Sequence, residues 1–233
     1  MNLKRLAPVV LLSALFPGSA QGQNLSVDEG SFRIYEQGQP IGTETFSIRQ
    51  IGPGGQQRVI LRGTVDLNLP GGAVTLAPAM DVQGSTLAIS DYQVKVAGAE
   101  TTDIFVSVSG NRFLVRTLSA AGEELREFRA GPGSVLLDDG IVHHHYLLGP
   151  YLDSASPVSL TMLSPRAGRQ NRMTLTLVGQ EEIRIGDMLV PDARRYRLAG
   201  SEGTRDIWFD GQGRILRLEI PSQDYLAERV DLP

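Results

Sequence analysis

Short segments that alternate apolar and polar residues, each ended by a glycine-containing turn, recur along most of this chain. Phe46 and Ile48 alternate with polar neighbours in TETFSI, for example. The same period of two returns in LAISDYQVKV, DIFVSVS, RFLVRTLS and RILRLEIP. Because successive side chains of a strand point to opposite faces, this period predicts antiparallel strands joined by tight turns. We therefore expect a mainly β protein, an antiparallel meander of about a dozen strands.

One segment departs from this period. Between Ile141 and Leu152, apolar residues and histidines are spaced three and four apart, which predicts a helix. Asp138 or Asp139 can accept hydrogen bonds from the free N–H groups at its start, and Asp138 is the predicted cap. Gly149-Pro150 is expected to end it. No other segment predicts a helix convincingly.

A wide flat sheet with one helix would leave unpaired edges and a bare apolar face. We therefore expect a strongly curved sheet, a half-open β-barrel with the helix packed on its concave side. The loop Gly131–Gly133 is expected to join two halves of this sheet. No linker or repeat divides the chain, so residues 23–233 are predicted to form a single domain.

The first 22 residues have the three parts of a secretory signal peptide. Lys4 and Arg5 form a basic start, residues 6–16 an apolar run, and small residues before Ala20 or Gly22 offer a cleavage site. The apolar run is shorter than the roughly 20 residues of a membrane-spanning helix. The chain has no cysteine, so neither a lipid anchor at a lipobox cysteine nor a disulfide is expected. The sequence predicts a signal peptide over residues 1–22, cleaved after Ala20 or Gly22, and a periplasmic protein.

The charge of the mature chain argues against nucleic acid as a partner. Lys4 and Arg5 leave with the signal peptide, so 20 basic residues stand against 26 acidic ones and the net charge is −6. No basic patch stands out on this acidic background, and no nucleic-acid partner is expected. No second apolar run approaches the length of a membrane span, so the mature chain is not expected to cross a membrane.

Three segments, YEQGQPIGTETFSI, LDDGIVHHHYLL and RDIWFDGQGRILRLEIPSQDYLAERV, resemble a family of uncharacterised exported bacterial β-proteins. Asp138, His143 and His144 match the aspartate and paired histidines of that family. Its general shape is similar to the periplasmic lipoprotein carriers LolA and LolB, in which a curved antiparallel sheet wraps apolar ligands. The resemblance implies a curved β fold and implies no particular activity.

All three histidines of the chain are consecutive, at His143, His144 and His145. On a strand the first and third would point the same way, about 6.6 Å apart along the chain, and could share a metal ion. On a helix, residues two apart diverge by about 200°, so the same two could not. No HExxH motif supports zinc, and no metal site is predicted. We expect the histidines to pack against the sheet. In the alternative, His144 and Tyr146 line the mouth of a pocket, and the candidate ligand-binding residues of this segment are His143, His144, His145 and Tyr146.

The sequence contains no GxSxG or SxxK motif and no cysteine nucleophile, so no catalytic residue and no cofactor are predicted. Trp208, the sole tryptophan, is expected in the core or on the wall of a ligand site. Arg195 and Arg197 share a strand face, where they either meet an anionic head group or face solvent.

Three functions stay open at this point. The first is a periplasmic, non-enzymatic protein that binds a lipid or another apolar or amphipathic small molecule. The second is a structural or interaction protein of the cell envelope, with a solid core and another envelope protein as partner. The third is a metal- or histidine-dependent enzyme centred on His143–His145.

Overall fold

The structure of the protein is a computed structural model that describes residues 24–52, 57–154 and 157–232. The predicted signal peptide lies outside the described residues. Fifteen strands of the described ranges belong to one sheet. They are β1 Asn24–Glu36, β2 Gln39–Ile51, β3 Arg58–Leu69, β4 Gly72–Gln83, β5 Ala88–Ala97, β6 Thr102–Ser109, β7 Arg112–Ser119, β8 Gly122–Arg129, β9 Ser134–Leu136, β10 Val158–Ser164, β11 Arg169–Ile185, β12 Met188–Gly200, β13 Gly203–Phe209, β14 Ile215–Ile220 and β15 Tyr225–Arg229.

The sheet consists of two meanders that meet at the ends of the chain. Each strand from β1 to β7 pairs with the next one along the chain, and so does each strand from β9 to β14. β1 also pairs with β15, so the first and last strands lie in the middle, and β8 and β9 form the two edges. Strand β9 runs parallel to β10, and the histidine segment lies between them in sequence. The predicted mainly β, largely antiparallel meander is confirmed, and the loop at residues 131–133 joins the two edge strands.

The histidine segment forms a 3-10 helix, His143–Tyr151, and the predicted period of 3.6 residues per turn is wrong. The N–H of His145 donates to the carbonyl of Val142, three residues earlier, at 3.0 Å. Pro150 lies inside the helix and has no N–H to donate. Pro221–Gln223 is a second, single-turn 3-10 element, and the described residues contain no α-helix. We call His143–Tyr151 the histidine helix.

Contacts of the histidine helix require the sheet to curve. Strands β5 and β12 are eight positions apart in the sheet, which would be about 38 Å if the sheet were flat. Yet the ring of His144 lies 5.3 Å from that of Tyr92 in β5. Just beyond the helix, the carbonyl of Leu152 accepts a hydrogen bond from Tyr196 in β12. His144 and Leu152 are only about 16 Å apart along a 3-10 helix, so the two strands approach each other around it.

The edges β8 and β9 are not hydrogen-bonded to each other, so strand pairing does not close the sheet. A side chain of β11 binds the end of β8 instead. Gln170 accepts from the N–H of Arg129 at 3.2 Å and donates to its carbonyl at 2.6 Å. This amide satisfies the two backbone groups that a neighbouring strand would otherwise bind.

Most strands bury the side chains of one face in a common core around the histidine helix. Phe32 and Ile34 are fully buried, as the period of two predicts. A smaller apolar cluster lies elsewhere and contains Ile183, Ile185, Ala193, Trp208 and Leu216. That residues 23–233 form a single domain stays a prediction.

Candidate functional site

The three histidines of the histidine helix make three different sets of contacts. Successive residues of a 3-10 helix are about 120° apart, so consecutive side chains cannot share one face. His143 and His144 are 0% exposed and His145 is 1% exposed. None of the three imidazoles therefore reaches solvent.

His143 faces β2 and β3. Its Nδ1 lies 2.8 Å from Oε1 of Glu44, and its ring stacks on Phe46 with 5.7 Å between ring centroids. Glu44 also accepts the N–H of Val142 at 2.7 Å and the N–H of His143 at 2.8 Å. Gly63 leaves room for the ring, because a Cβ there would lie 2.7 Å from Cε1 of His143.

The carboxylate that caps the histidine helix is therefore Glu44, and the predicted cap at Asp138 is wrong. Asp138 binds elsewhere: its Oδ2 accepts from the hydroxyl of Tyr92 at 2.8 Å and from Nε of Arg166 at 2.9 Å. A fully buried carboxylate needs such strong donors. Of the two buried carboxylates, Glu44 is the one that accepts the free N–H groups at the start of the histidine helix.

His144 faces β5. Its ring meets the edge of Tyr92, and its Nδ1 lies 3.4 Å from the backbone nitrogen of Asp138, close to the limit of a hydrogen bond. Burial lowers the pKa of His144 well below its usual value, and the neighbouring His143, His145 and Arg166 add to the effect. Burial also disfavours the charged forms of Asp138 and Tyr92, and it therefore raises the pKa values of these two groups.

His145 turns back onto its own backbone. Its Nδ1 donates to the carbonyl of Val142 at 2.9 Å. Burial, together with the positive charge of Arg205, lowers the pKa of His145 to about 3. The imidazole is thus neutral at physiological pH and serves the packing of the interior.

The Nε2 atoms of all three histidines are buried and bond to no described residue. No group of three histidine, cysteine, aspartate or glutamate side chains is arranged to hold a metal ion in residues 24–52, 57–154 and 157–232. The buried polar groups form a supporting framework, in which two carboxylates, a tyrosine and an arginine fix the helix within the sheet.

A cavity of about 410 Å³ opens at one end of the fold, where the second half of the histidine helix meets three loops. We call it the mouth cavity. Leu87 enters it from the β4–β5 turn, Tyr146 and Gly149 from the histidine helix, and Leu152 from the residues just after that helix. Asp153 and Arg194 supply its charges, and the β13–β14 turn closes one side.

The structure separates the predicted site residues into two groups. His143, His144, His145 and Tyr146 belong to the histidine helix, and of these Tyr146 lines the mouth cavity. Burial raises the pKa of Tyr146, so its hydroxyl stays protonated. That Tyr146 binds a ligand stays a prediction.

Trp208, Arg195 and Arg197 lie away from this cavity. Trp208 is in the smaller apolar cluster, its Nε1–H donates to Glu181 at 2.6 Å, and the guanidinium of Arg195 lies 4.9 Å from its ring centroid. Arg195 and Arg197 both bind the carboxylate of Asp206, at 2.7 and 2.8 Å. Burial acts to raise the pKa of Asp206, but the hydrogen bonds from the two arginines outweigh it and lower that pKa.

Sequence reasoning missed Glu44, Leu87 and Arg194. A signal for Glu44 was present in the sequence. Glu44, Phe46 and Ile48 are two residues apart along one strand, so Glu44 lies on the same buried face as the two apolar residues. For Leu87 and Arg194 no local signal exists, since their loop and strand meet only in the folded chain.

The fold and these sites define an open, barrel-like β protein built around a buried histidine helix. One solved structure is similar to this chain: the crystal structure of a β-barrel-like protein of the domain of unknown function DUF1849 from Brucella abortus. The two share 10% sequence identity with a TM-score of 0.47, over 86% of this chain and 95% of that one. A likeness this slight carries no argument about this chain's activity. No family model matches the sequence, and no curated protein matches it.

Among the described residues, no helix combines the length and the apolar character needed to cross a bilayer.

Proposed function

We propose that this chain is exported to the periplasm and there binds an amphipathic, lipid-like small molecule in the mouth cavity, without catalysing a reaction. The cavity itself carries the proposal: about 410 Å³ is within the range of small-molecule sites, and its wall combines apolar and polar side chains. Export rests on the three-part pattern of residues 1–22.

The ligand site differs from the one that the likeness to LolA and LolB suggests. In those carriers the curved sheet wraps the ligand. Here the histidine helix and its buried neighbours occupy the space inside the curve, around Leu147, Leu148 and the three histidines. The ligand is therefore placed at the end of the fold, against Leu87, Leu152 and the ring of Tyr146.

Native mass spectrometry tests export and binding together, on protein exported with its own signal peptide and purified without detergent. We expect a mass that lacks residues 1–20 or 1–22, with a further population that carries a bound amphiphile. A chain recovered with residues 1–22 intact would contradict export.

The location of the site is tested by filling the cavity. A Cβ at Gly149 would meet no atom within 4 Å, so Gly149→Phe can extend into the mouth cavity without a clash at its Cβ. Gly71, in the β3–β4 turn, has equal space around it and gives the matched control Gly71→Phe. We expect calorimetric titration with decanol to show binding to the wild type and the control and none to Gly149→Phe. Equal binding by both variants would refute this location.

A second candidate, the envelope interaction protein, is favoured by the apolar end of the β11–β12 hairpin. Met188 is 39% exposed there and Leu189 48% exposed. A photo-crosslinker at Leu189, compared with one at the 71% exposed Leu125 of β8, tests it in the periplasm. One defined protein adduct at Leu189 alone would favour this candidate, and equal labelling at both positions would count against it.

A further inference from the structure

We infer that the ligand of the mouth cavity carries an anionic oxygen group, a carboxylate or a phosphate, and that Arg194 binds it. The inference rests on the proposed function and adds the chemical class of the ligand. Arg194 is the sole lysine or arginine on the described wall of the cavity, and Asp153 the sole carboxylate.

Arg194 is held in position but keeps one donor unused. Its Nη1 donates to Asp153 at 2.9 Å and its Nη2 approaches the carbonyl of Asp210 at 3.4 Å. Its Nε–H is buried and bonds to no described residue. A guanidinium binds carboxylate or phosphate best through two parallel N–H groups, and Nη1 and Nη2 offer that geometry to an anion that displaces Asp153.

The bond between Arg194 and Asp153 is weak enough for a ligand to replace it. Arg194 is 18% exposed, whereas Asp153 is 89% exposed, so water screens the pair from the aspartate side. An anionic group that enters the cavity is less exposed to water than Asp153 is, so it can take the place of the aspartate. Asp153 therefore occupies the anion site when no ligand is present.

The rest of the wall suits a chain attached to that anionic group. Leu87 and Leu152 give apolar surface on the side of the histidine helix. The raised pKa of Tyr146 keeps its hydroxyl a hydrogen-bond donor on the wall of the cavity. An acyl or alkyl chain with a charged oxygen head thus finds both parts of its chemistry in one cavity.

Calorimetric titrations with decanoate, decyl phosphate and decanol test the inference, using wild type, Arg194→Gln and Asp153→Asn. We expect Arg194→Gln to weaken both anionic ligands by about tenfold or more and to leave decanol unchanged. We expect Asp153→Asn to strengthen both anionic ligands by about two- to fivefold, because it removes the competing carboxylate.

The outcomes separate this inference from the proposed function. If decanol binds but Arg194→Gln weakens all three ligands equally, the anion site is wrong and the binding function stands. If none of the three binds to the wild type, the proposed function itself is wrong. Tighter binding of decyl phosphate than of decanoate would assign a phosphate head, and the reverse a carboxylate. Inorganic phosphate that binds as tightly as decyl phosphate would support the anion site. It would also contradict the proposal that the ligand is an amphiphile, because the alkyl chain would then add nothing to binding.

Discussion

Arg229, in the last strand, forms a buried two-point ion pair with Asp28, in the first. Nη2 and Nη1 of the arginine lie 2.7 and 3.0 Å from the two carboxylate oxygens. The same guanidinium donates to the backbone carbonyls of Ile215, Glu29 and Asp231. The pair therefore links β1 to β15, the two strands through which the two meanders pair in the described sheet.

We expect Asp28→Asn to lower the free energy of unfolding by about 3–5 kcal/mol, because it leaves the buried Arg229 without its counter-charge. Urea unfolding followed by circular dichroism measures the change. The matched control is Glu127→Gln, which breaks the exposed pair with Arg112 and should cost less than about 1 kcal/mol. Equal effects of the two substitutions would show that the buried pair is not specially important.

The position of the His143 ring is predicted to require a glycine at residue 63. A Cβ there would lie 2.7 Å from that ring and 3.0 Å from the carbonyl oxygen of Thr45, so Gly63→Ala should destabilise the fold by about 1–3 kcal/mol. Gly71→Ala, at an open turn position, should change the stability by less than about 0.5 kcal/mol. A double-mutant cycle with His143→Ala should recover part of the loss. A strictly additive cycle would contradict the contact.

Acid is predicted to destabilise the protein through His144 and His145. Their folded-state pKa values are lowered, to about 3 for His145, so the unfolded chain binds more protons below about pH 6.5. The contribution of the two histidines to stability is therefore complete above about pH 6.5 and is lost progressively as the pH drops, for His145 until the pH reaches about 3.

The raised pKa of Asp138 acts in the opposite direction above its unfolded value, so the part due to His145 is measured by comparing wild type with His145→Gln over the interval from about pH 5 to 6.5. Urea midpoints across that interval should shift less in His145→Gln than in the wild type, since one of the two groups no longer titrates. An unchanged slope would mean that His145 does not titrate as its burial requires.

Trp208 provides a test of whether the ligand binds in the mouth cavity or near the smaller apolar cluster. It is 3% exposed and belongs to the smaller apolar cluster, whereas its neighbours Ile207 and Phe209 belong to the main core. Its fluorescence should be that of a buried tryptophan and should not change when decanol binds. A large spectral change on binding would place the ligand on the face of Trp208 instead of in the mouth cavity.

Much of the fold could be predicted from local patterns. The period of two around Phe46 and Ile48 identifies β2, and the glycine-rich turns identify the hairpins that order each meander. The type of the histidine helix could not be predicted, because the spacing of its apolar residues suits a regular helix as well. Packing of His143 against Glu44 and of His144 against Tyr92 accompanies the tighter form.

The sequence by itself determined the strands, their faces and the one segment that departs from them, because these depend on residues close together in the chain. Only the tertiary structure decided which carboxylate caps the histidine helix and where a cavity opens. Glu44 is 99 residues from His143, and Arg229 is 201 residues from Asp28. Such pairs form only when the two meanders join, and that joining creates both the packed interior and the mouth cavity beside Arg194.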